Sequence, residues 1–380
     1  GSEKTQTSTT DTATTEEQDP KNPSITIDAK ASILVNAETG EIIEAHNEKE
    51  KEYPASTTKM MTALLALENC KLSDVVTIQQ DDIAAAGAGA SNAGLKVGEQ
   101  VTVENLLYCL MLPSAFEAAN ALARTAGGSV DNFVKMMNDR ASELGCVNTH
   151  FVNPTGMHDT NHYSCAYDMY LIAREAMKNS TFQTVVNTAQ KKLPATNKNS
   201  ERIIYTTNEL IRSSYSSVYY DNCYGIKTGH TTPAGYCLVS SAVRTDRQLI
   251  SVVLGARLMT DSDGSYKVGS FTETARLFDW GFDNFTTKTV LTEDEMIQEV
   301  PVALSKETAQ VAVHPAYTAE AVLPDDLKPE YLVRTVTLDA DVVDAPVSAG
   351  QQLGTITLSY GDVDYATVPL LAVADVNASR

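Results

Sequence analysis

The sequence is short of positive charge: 29 Lys and Arg stand against 49 Asp and Glu, a formal net charge of -20 over 380 residues. That balance argues against nucleic acid or an anionic membrane surface as a main partner, because both would repel the chain. Long hydrophobic runs are missing as well. No stretch reaches the roughly eighteen apolar residues that a membrane-spanning helix needs, so any membrane anchor is expected outside this chain. The six cysteines (Cys70, Cys109, Cys146, Cys165, Cys223, Cys237) show no CxxC or finger-like spacing, which removes the common zinc and redox frameworks. Most lie in apolar stretches, where buried free thiols are the default, while an oxidising compartment would permit disulfides and the even count decides neither. There is no internal repeat, and the opening Gly-Ser reads as a cloning remnant replacing a removed signal segment.

What is present is enough apolar material, 43%, for real cores, in a chain long enough for two domains and a tail. Residues 1 to 26 are rich in Thr, Ser, Glu and Lys with little to bury, so ordering entropy predicts a flexible tether. From Ala29, ASILVNA and IIEAHN flank a Gly-containing turn and predict a hairpin. TKMMTALLALENC is apolar on every helical face, which predicts a central buried helix with Ser56 at its head. VENLLYCLML, SAFEAANALARTA and SVDNFVKMMNDRASELG predict further helices, the first two separated by Pro113 and the third running from a Ser cap to Gly145. GYCLVSSAV and RQLISVVLGA predict a second hairpin of long apolar strands, and a last helix carries Phe278, Trp280 and Phe282.

Strands at both ends around a helical middle imply an α+β domain over residues 27 to 284, one antiparallel sheet backed by helices. Residues 285 to 380 read as short alternating segments punctuated by Pro, Gly and Asp, a small all-β sandwich. Between 286 and 380 fifteen acidic residues face five basic ones, so this module carries half of the net charge.

The strongest local chemical signal is Ser56-Thr57-Thr58-Lys59, because a three-residue separation puts serine and lysine on one helical face. A serine hydroxyl needs a base, and a lysine serves only when neutral, which burial and a second nearby cation both favour. A helix N-terminus also offers backbone N-H groups to an oxyanion. Alone, the pair is common by chance. Lys227-Thr228-Gly229, expected where a strand begins, supplies a candidate second cation, a hydroxyl for a carboxylate, and a glycine permitting close approach of a substrate backbone.

The words PASTTKMMTALLALE, LPSAFEAANALA, NTHFVNPTGMHD and YGIKTGHTTPAGYCLVSSA, in this order, resemble the low-molecular-mass penicillin-binding proteins of the serine D-alanyl-D-alanine carboxypeptidase family. The β-rich end resembles that family's C-terminal domain. The resemblance implies a penicillin-binding, β-lactamase-like transpeptidase fold in which Ser56 forms the acyl-enzyme and Lys59 is its base. It further implies that Ser114 relays protons to the leaving amine and that Lys227 and Thr228 hold the terminal carboxylate. Gly229 completes that motif, and the backbone N-H groups of Ser56 and His230 form the oxyanion hole. The implied substrate is a peptidoglycan stem peptide ending in D-Ala-D-Ala, with β-lactams as covalent inhibitors and no metal or organic cofactor. Action would then be extracytoplasmic, in cell-wall synthesis and cell shape.

One position departs from the family. Where its Ser-x-Asn element has Asn, this chain has Phe116, which cannot make amide hydrogen bonds; the ring is expected to pack against substrate or the helix face, in a slower or differently selective enzyme. Asn120, one turn on, is a poor substitute. Two other readings share parts of the pattern: a serine β-lactamase, although no Glu stands in a recognisable deacylation loop between Ser114 and Lys227, and a degenerate wall-peptide-binding module. His158 and His162 could hold zinc on a helix, but their surroundings predict surface loop histidines. Asp81 and Asp82, and the run Glu293 to Glu295, read as helix-start or solvated charges.

Overall fold

The computed structural model describes residues 19–214, 216–245, 247–306 and 310–379. They form two compact units, Ile25–Asp283 and the chain from Asn284 onward with the few described residues before Ile25. The tether expected over residues 1 to 26 lies outside the described residues as far as residue 18. Its last two residues join the first unit: Ile25 packs on a hydrophobic cluster and the Thr26 carbonyl accepts from Arg276 at 3.3 Å.

The first unit contains β1 (Ala31–Asn36), β2 (Ile42–His46), the ribbon β3 (Val75–Thr77) with β4 (Gln100–Thr102), and the ribbon β5 (Gln190–Leu193) with β6 (Arg202–Tyr205). It continues with β7 (Cys223–Thr231), β8 (Gly235–Arg244), β9 (Arg247–Ala256) and the small hairpin β10 (Leu258–Thr260) with β11 (Tyr266–Val268). Its helices are α1 (Lys59–Asn69), α2 (Gln80–Ala84), α3 (Val103–Met111), α4 (Phe116–Gly127), α5 (Val130–Glu143), α6 (Ala166–Ala176), α7 (Ser180–Val186) and α8 (Gly269–Asn284). The main sheet is antiparallel in the order β2-β1-β9-β8-β7.

Its inner strands read as continuous apolar runs because both faces are covered. Ile33, Val239 and Val252 join the cluster formed with α1, α3, α4 and α6, whereas Leu34, Leu238 and Leu249 join Phe271, Leu277 and Phe278 of α8. The sequence had suggested helices behind the sheet; they lie on both sides of it. α1 is central, with Met60, Met61, Ala63 and Ala66 essentially inaccessible. α5 begins at Ser129, whose Oγ accepts from the Asn132 amide at 3.1 Å, and gives way at Gly145, where φ is 86°.

The second unit is all β. β12 (Phe285–Leu291) pairs with β15 (Ala319–Pro324). A six-stranded sheet runs in the order β16 (Val333–Leu338), β18 (Gln352–Tyr360), β19 (Val363–Ala372), β14 (Gln310–Pro315), β13 (Gln298–Ala303), β17 (Val343–Asp344). Alternate residues such as Val311 and Val313, Ile356 and Leu358, and Val368 and Leu370 fill its core, the period-two pattern read from the sequence. Among the described residues no helix is long and apolar enough to cross a membrane.

All six cysteines are free, and all but Cys70 are buried. Burial pushes the thiols of Cys109, Cys146, Cys165 and Cys223 up to about 12, so they are unreactive core side chains. Asp82 is not solvated: it caps α2 by accepting from the Gln79 amide (2.8 Å), and it pairs with Arg124 at 2.9 Å. Asn120 donates to the Asp82 carbonyl at 3.0 Å and so takes no part in replacing the missing amide.

Candidate active site

Ser56 lies in a single 3-10 turn, Ala55–Thr58, that leads into α1. With three residues per turn, positions three apart eclipse, which aligns Ser56 and Lys59 more directly than an α-helical turn would. Ala55, just before Ser56, has a left-handed φ of 49°. Lys59 is fully buried, and its Nζ donates to Ser56 Oγ at 2.8 Å and to the Thr155 carbonyl at 2.7 Å.

Sheet register delivers the second cation. Ile33, Val252, Val239 and Lys227 are successive direct partners across β1, β9, β8 and β7. Directly paired residues share a face, so Lys227 points to the side of the sheet that α1 covers. The Lys227-Thr228-Gly229 motif stands in the middle of β7 rather than where a strand begins, since the strand starts at Cys223. β7 is also the edge strand, with one side unpaired in the sheet. Burial pushes the Lys227 amine down to about 7. Lys59 is held well below the ordinary lysine range, chiefly by burial and then by the Lys227 charge, with Glu117 opposing.

Gly229 has a use beyond the expected one. A Cβ there would stand 2.8 Å from the Ser56 amide nitrogen and 3.1 Å from that of Thr57, so the glycine lets β7 close on the Ser56 turn itself. Thr228 Oγ1 lies 2.5 Å from Thr207 Oγ1. The His230 ring stacks on Tyr236 with centroids 4.1 Å apart. Ser114, in the turn between α3 and α4, has a left-handed φ of 64°. Its buried hydroxyl has no hydrogen-bond partner among the described residues.

A cleft of about 380 Å³ brings Ser56, Ser114, Thr228, Gly229 and His230 together, with Phe116, Thr207 and Ser270 also in its wall. Lys59 and Lys227 are buried outside its wall and adjoin it by donating to Ser56 Oγ and to the Thr228 carbonyl. The Phe116 ring does not merely cover the helix face: Lys59 Nζ sits 3.8 Å from its centroid.

Three contributors escaped the sequence reading. The Thr155 carbonyl grips Lys59; Thr207 meets Thr228; and Gly156 lets the Asn153–Met157 turn press on Ala55, whose carbonyl a Cβ would strike. The Pro154-Thr155-Gly156 turn chemistry was the available signal for two of them; Thr207 carried none.

His162 is a core residue rather than a surface loop histidine. Its Nδ1 accepts from the Val152 amide at 3.0 Å and its Nε2 meets Thr58 Oγ1 at 2.8 Å. Burial lowers its pKa to about 4. His158 packs edge-on against Tyr53.

Two family profiles match the chain, one described as D-alanyl-D-alanine carboxypeptidase over residues 13–258 and one as penicillin-binding protein 5, C-terminal domain, over residues 285–378. The D-alanyl-D-alanine carboxypeptidase DacF of Bacillus subtilis is 31% identical over 370 residues, covering 94% of this chain and 89% of that protein. DacC of Escherichia coli, with the same description, is 31% identical over 381 residues, 96% of this chain and 88% of its own length. Among solved structures, DacD from Francisella tularensis superimposes with a TM-score of 0.75 at 26% identity, covering 95% of this chain and 96% of that one. Penicillin-binding protein 5 from Haemophilus influenzae does so with a TM-score of 0.72 at 29% identity, covering 93% and 99%. The chain belongs to the D-alanyl-D-alanine carboxypeptidase family of penicillin-binding proteins. It is a serine-type carboxypeptidase, a hydrolase of the class that works through an acyl-enzyme.

Proposed function

We propose that Ser56 is the nucleophile and Lys59 its general base, acting on a peptidoglycan stem peptide that ends in D-Ala-D-Ala. The observation that carries this reading is the 2.8 Å contact between Ser56 Oγ and a lysine amine that burial and Lys227 hold toward its neutral form. Neutral Lys59 takes the Ser56 proton as Oγ attacks the penultimate carbonyl. The backbone N-H groups of Ser56 and His230 receive the oxyanion. The C-N bond then breaks, Ser114 passes a proton to the departing D-alanine amine and regains one from the Lys59 ammonium, and an ester remains on Ser56. Water, activated in turn by Lys59, releases the shortened peptide. Thr228 and the positive field of Lys227 hold the terminal carboxylate, and Gly229 keeps β7 against the Ser56 turn.

The wall peptide as substrate places the enzyme outside the cytoplasmic membrane, secreted or membrane-attached, with a role in wall synthesis and cell shape. The chemistry calls for no cofactor or metal, and the net charge disfavours nucleic acid. The β-rich module after 284 would act as a spacer. A β-lactam, whose strained amide imitates the dipeptide, should acylate the same serine. Intact-mass and peptide mass spectrometry after penicillin treatment should find one adduct on Ser56, beside release of D-alanine from a D-Ala-D-Ala peptide. An adduct that persists in Ser56→Ala would sink the assignment.

A further inference from the structure

We propose that Phe116 is a positioning residue for the general base, its ring face holding the Lys59 amine in line with Ser56 where relatives use a hydrogen-bonding side chain. This rests on the reading of Lys59 as the base. A lysine ammonium has three hydrogens to place. Two directions are taken by Ser56 Oγ at 2.8 Å and the Thr155 carbonyl at 2.7 Å. Lys59 is inaccessible to water, and the buried Ser114 hydroxyl bonds nothing among the described residues, so neither solvent nor Ser114 is the third partner. The Phe116 ring is, with its centroid 3.8 Å from Nζ.

The backbone that carries the ring is itself held in place. Phe116 opens α4 two residues after the left-handed Ser114, behind the N-cap Ala115, and its amide donates to the Ser91 carbonyl at 2.9 Å. The charged groups facing Lys59 are Lys227 from β7 and Glu117 from α4. Glu117 accepts from the Ala93 amide at 2.7 Å, so its carboxylate is engaged elsewhere.

An aromatic face suits a group that must be an amine before the reaction and an ammonium during it. The ring quadrupole attracts the ammonium, yet it offers no lone pair and stabilises that charge less than an amide oxygen would. The amine therefore stays in register with Ser56 without being pinned in its protonated form. Ser114, spared from binding Lys59, keeps its hydroxyl for the leaving amine.

The test is the rate of Ser56 acylation by a fluorescent penicillin across pH, for wild type, Phe116→Tyr, Phe116→Leu and Phe116→Asn. Tyr keeps the ring face and should keep the wild-type acid limb. Leu withdraws stabilisation from the ammonium, so its acid limb should move down by about half a pH unit or more, with a plateau roughly tenfold lower. Asn supplies an acceptor oxygen and should move the limb up. A Leu variant whose acid limb coincides with wild type overturns the proposal, whatever its plateau. Should the Leu variant not fold, Asn decides: an upward shift supports the proposal and an unmoved limb overturns it. Failure to label wild-type Ser56 at any pH is a different result, which overturns the assignment of Ser56 and Lys59 and the inference with it.

Discussion

Lys227 is 1% exposed, and its Nζ donates to the Thr228 carbonyl at 2.9 Å. Because burial holds its amine at about 7, its charge is present below this pH and is lost as pH rises through it. On the proposed mechanism, loss of the charge would weaken carboxylate capture and would also remove the smaller contribution that Lys227 adds to burial in lowering the Lys59 pKa. The expected outcome is a kcat/KM for D-Ala-D-Ala peptides that falls as pH rises through about 7, with the corresponding kcat limb displaced upward because a bound carboxylate favours the ammonium. Lys227→Arg, charged at every accessible pH, should flatten the alkaline limb while lowering the plateau; a persisting limb near wild type would show that another group titrates. At this scale the sequence was most legible where chemistry is local. Ser56 and Lys59 are one turn apart in the chain and one hydrogen bond apart in space. The Lys59 bond to the Thr155 carbonyl spans 96 residues, and nothing in short-range spacing announces it.

At the level of elements, the site is a closure between an edge strand and a helical turn. β7 can come so near the turn only because Gly229 has no side chain, and the left-handed Ala55 leaves that turn little room to yield. Gly229→Ala should therefore move Ser56 relative to Lys59 while the five-stranded sheet persists. Acylation should drop by about a hundredfold, the cost of misplacing reacting atoms by around an ångström, and the far-ultraviolet circular dichroism spectrum should stay the same. Acylation within a few-fold of wild type would mean that the closure has slack. Elements were read well from sequence wherever periodicity or capping marked them, as in the apolar runs of β8 and β9 or the Ser129 cap of α5. The register Ile33-Val252-Val239-Lys227, which sets the side of the sheet on which Lys227 emerges, belongs to the pairing of four strands and is invisible in any one of them.

Over the whole molecule, each unit buries its own core. The clusters of the first unit end at Phe282, and that of the second begins at Val290. A chain ending at Asn284 should consequently fold and be acylated at Ser56 within about twofold of the full-length rate, measured with the same fluorescent penicillin. A loss of labelling or of cooperative unfolding would show that the acidic module supports the catalytic unit. The change in sequence character near 285, from helical periodicity to short alternating strands, corresponds to the junction between α8 and β12. The left-handed Ser114 and the contact of the Phe116 ring with Lys59 left no such mark, because both depend on segments that meet only in the folded chain.

The free thiols set a kinetic condition on how the molecule must be made. Five of its six cysteines are sealed away once native packing forms, so the finished protein has nothing to gain from an oxidant. While it is still unfolded, the same six sulfurs are exposed and can pair wrongly in an oxidising medium. In such a medium native burial and sulfur oxidation would compete, and packing of the helical core takes Cys109 and Cys146 out of reach. Burial, rather than any cross-link, is what keeps these five thiols from oxidants in the folded chain.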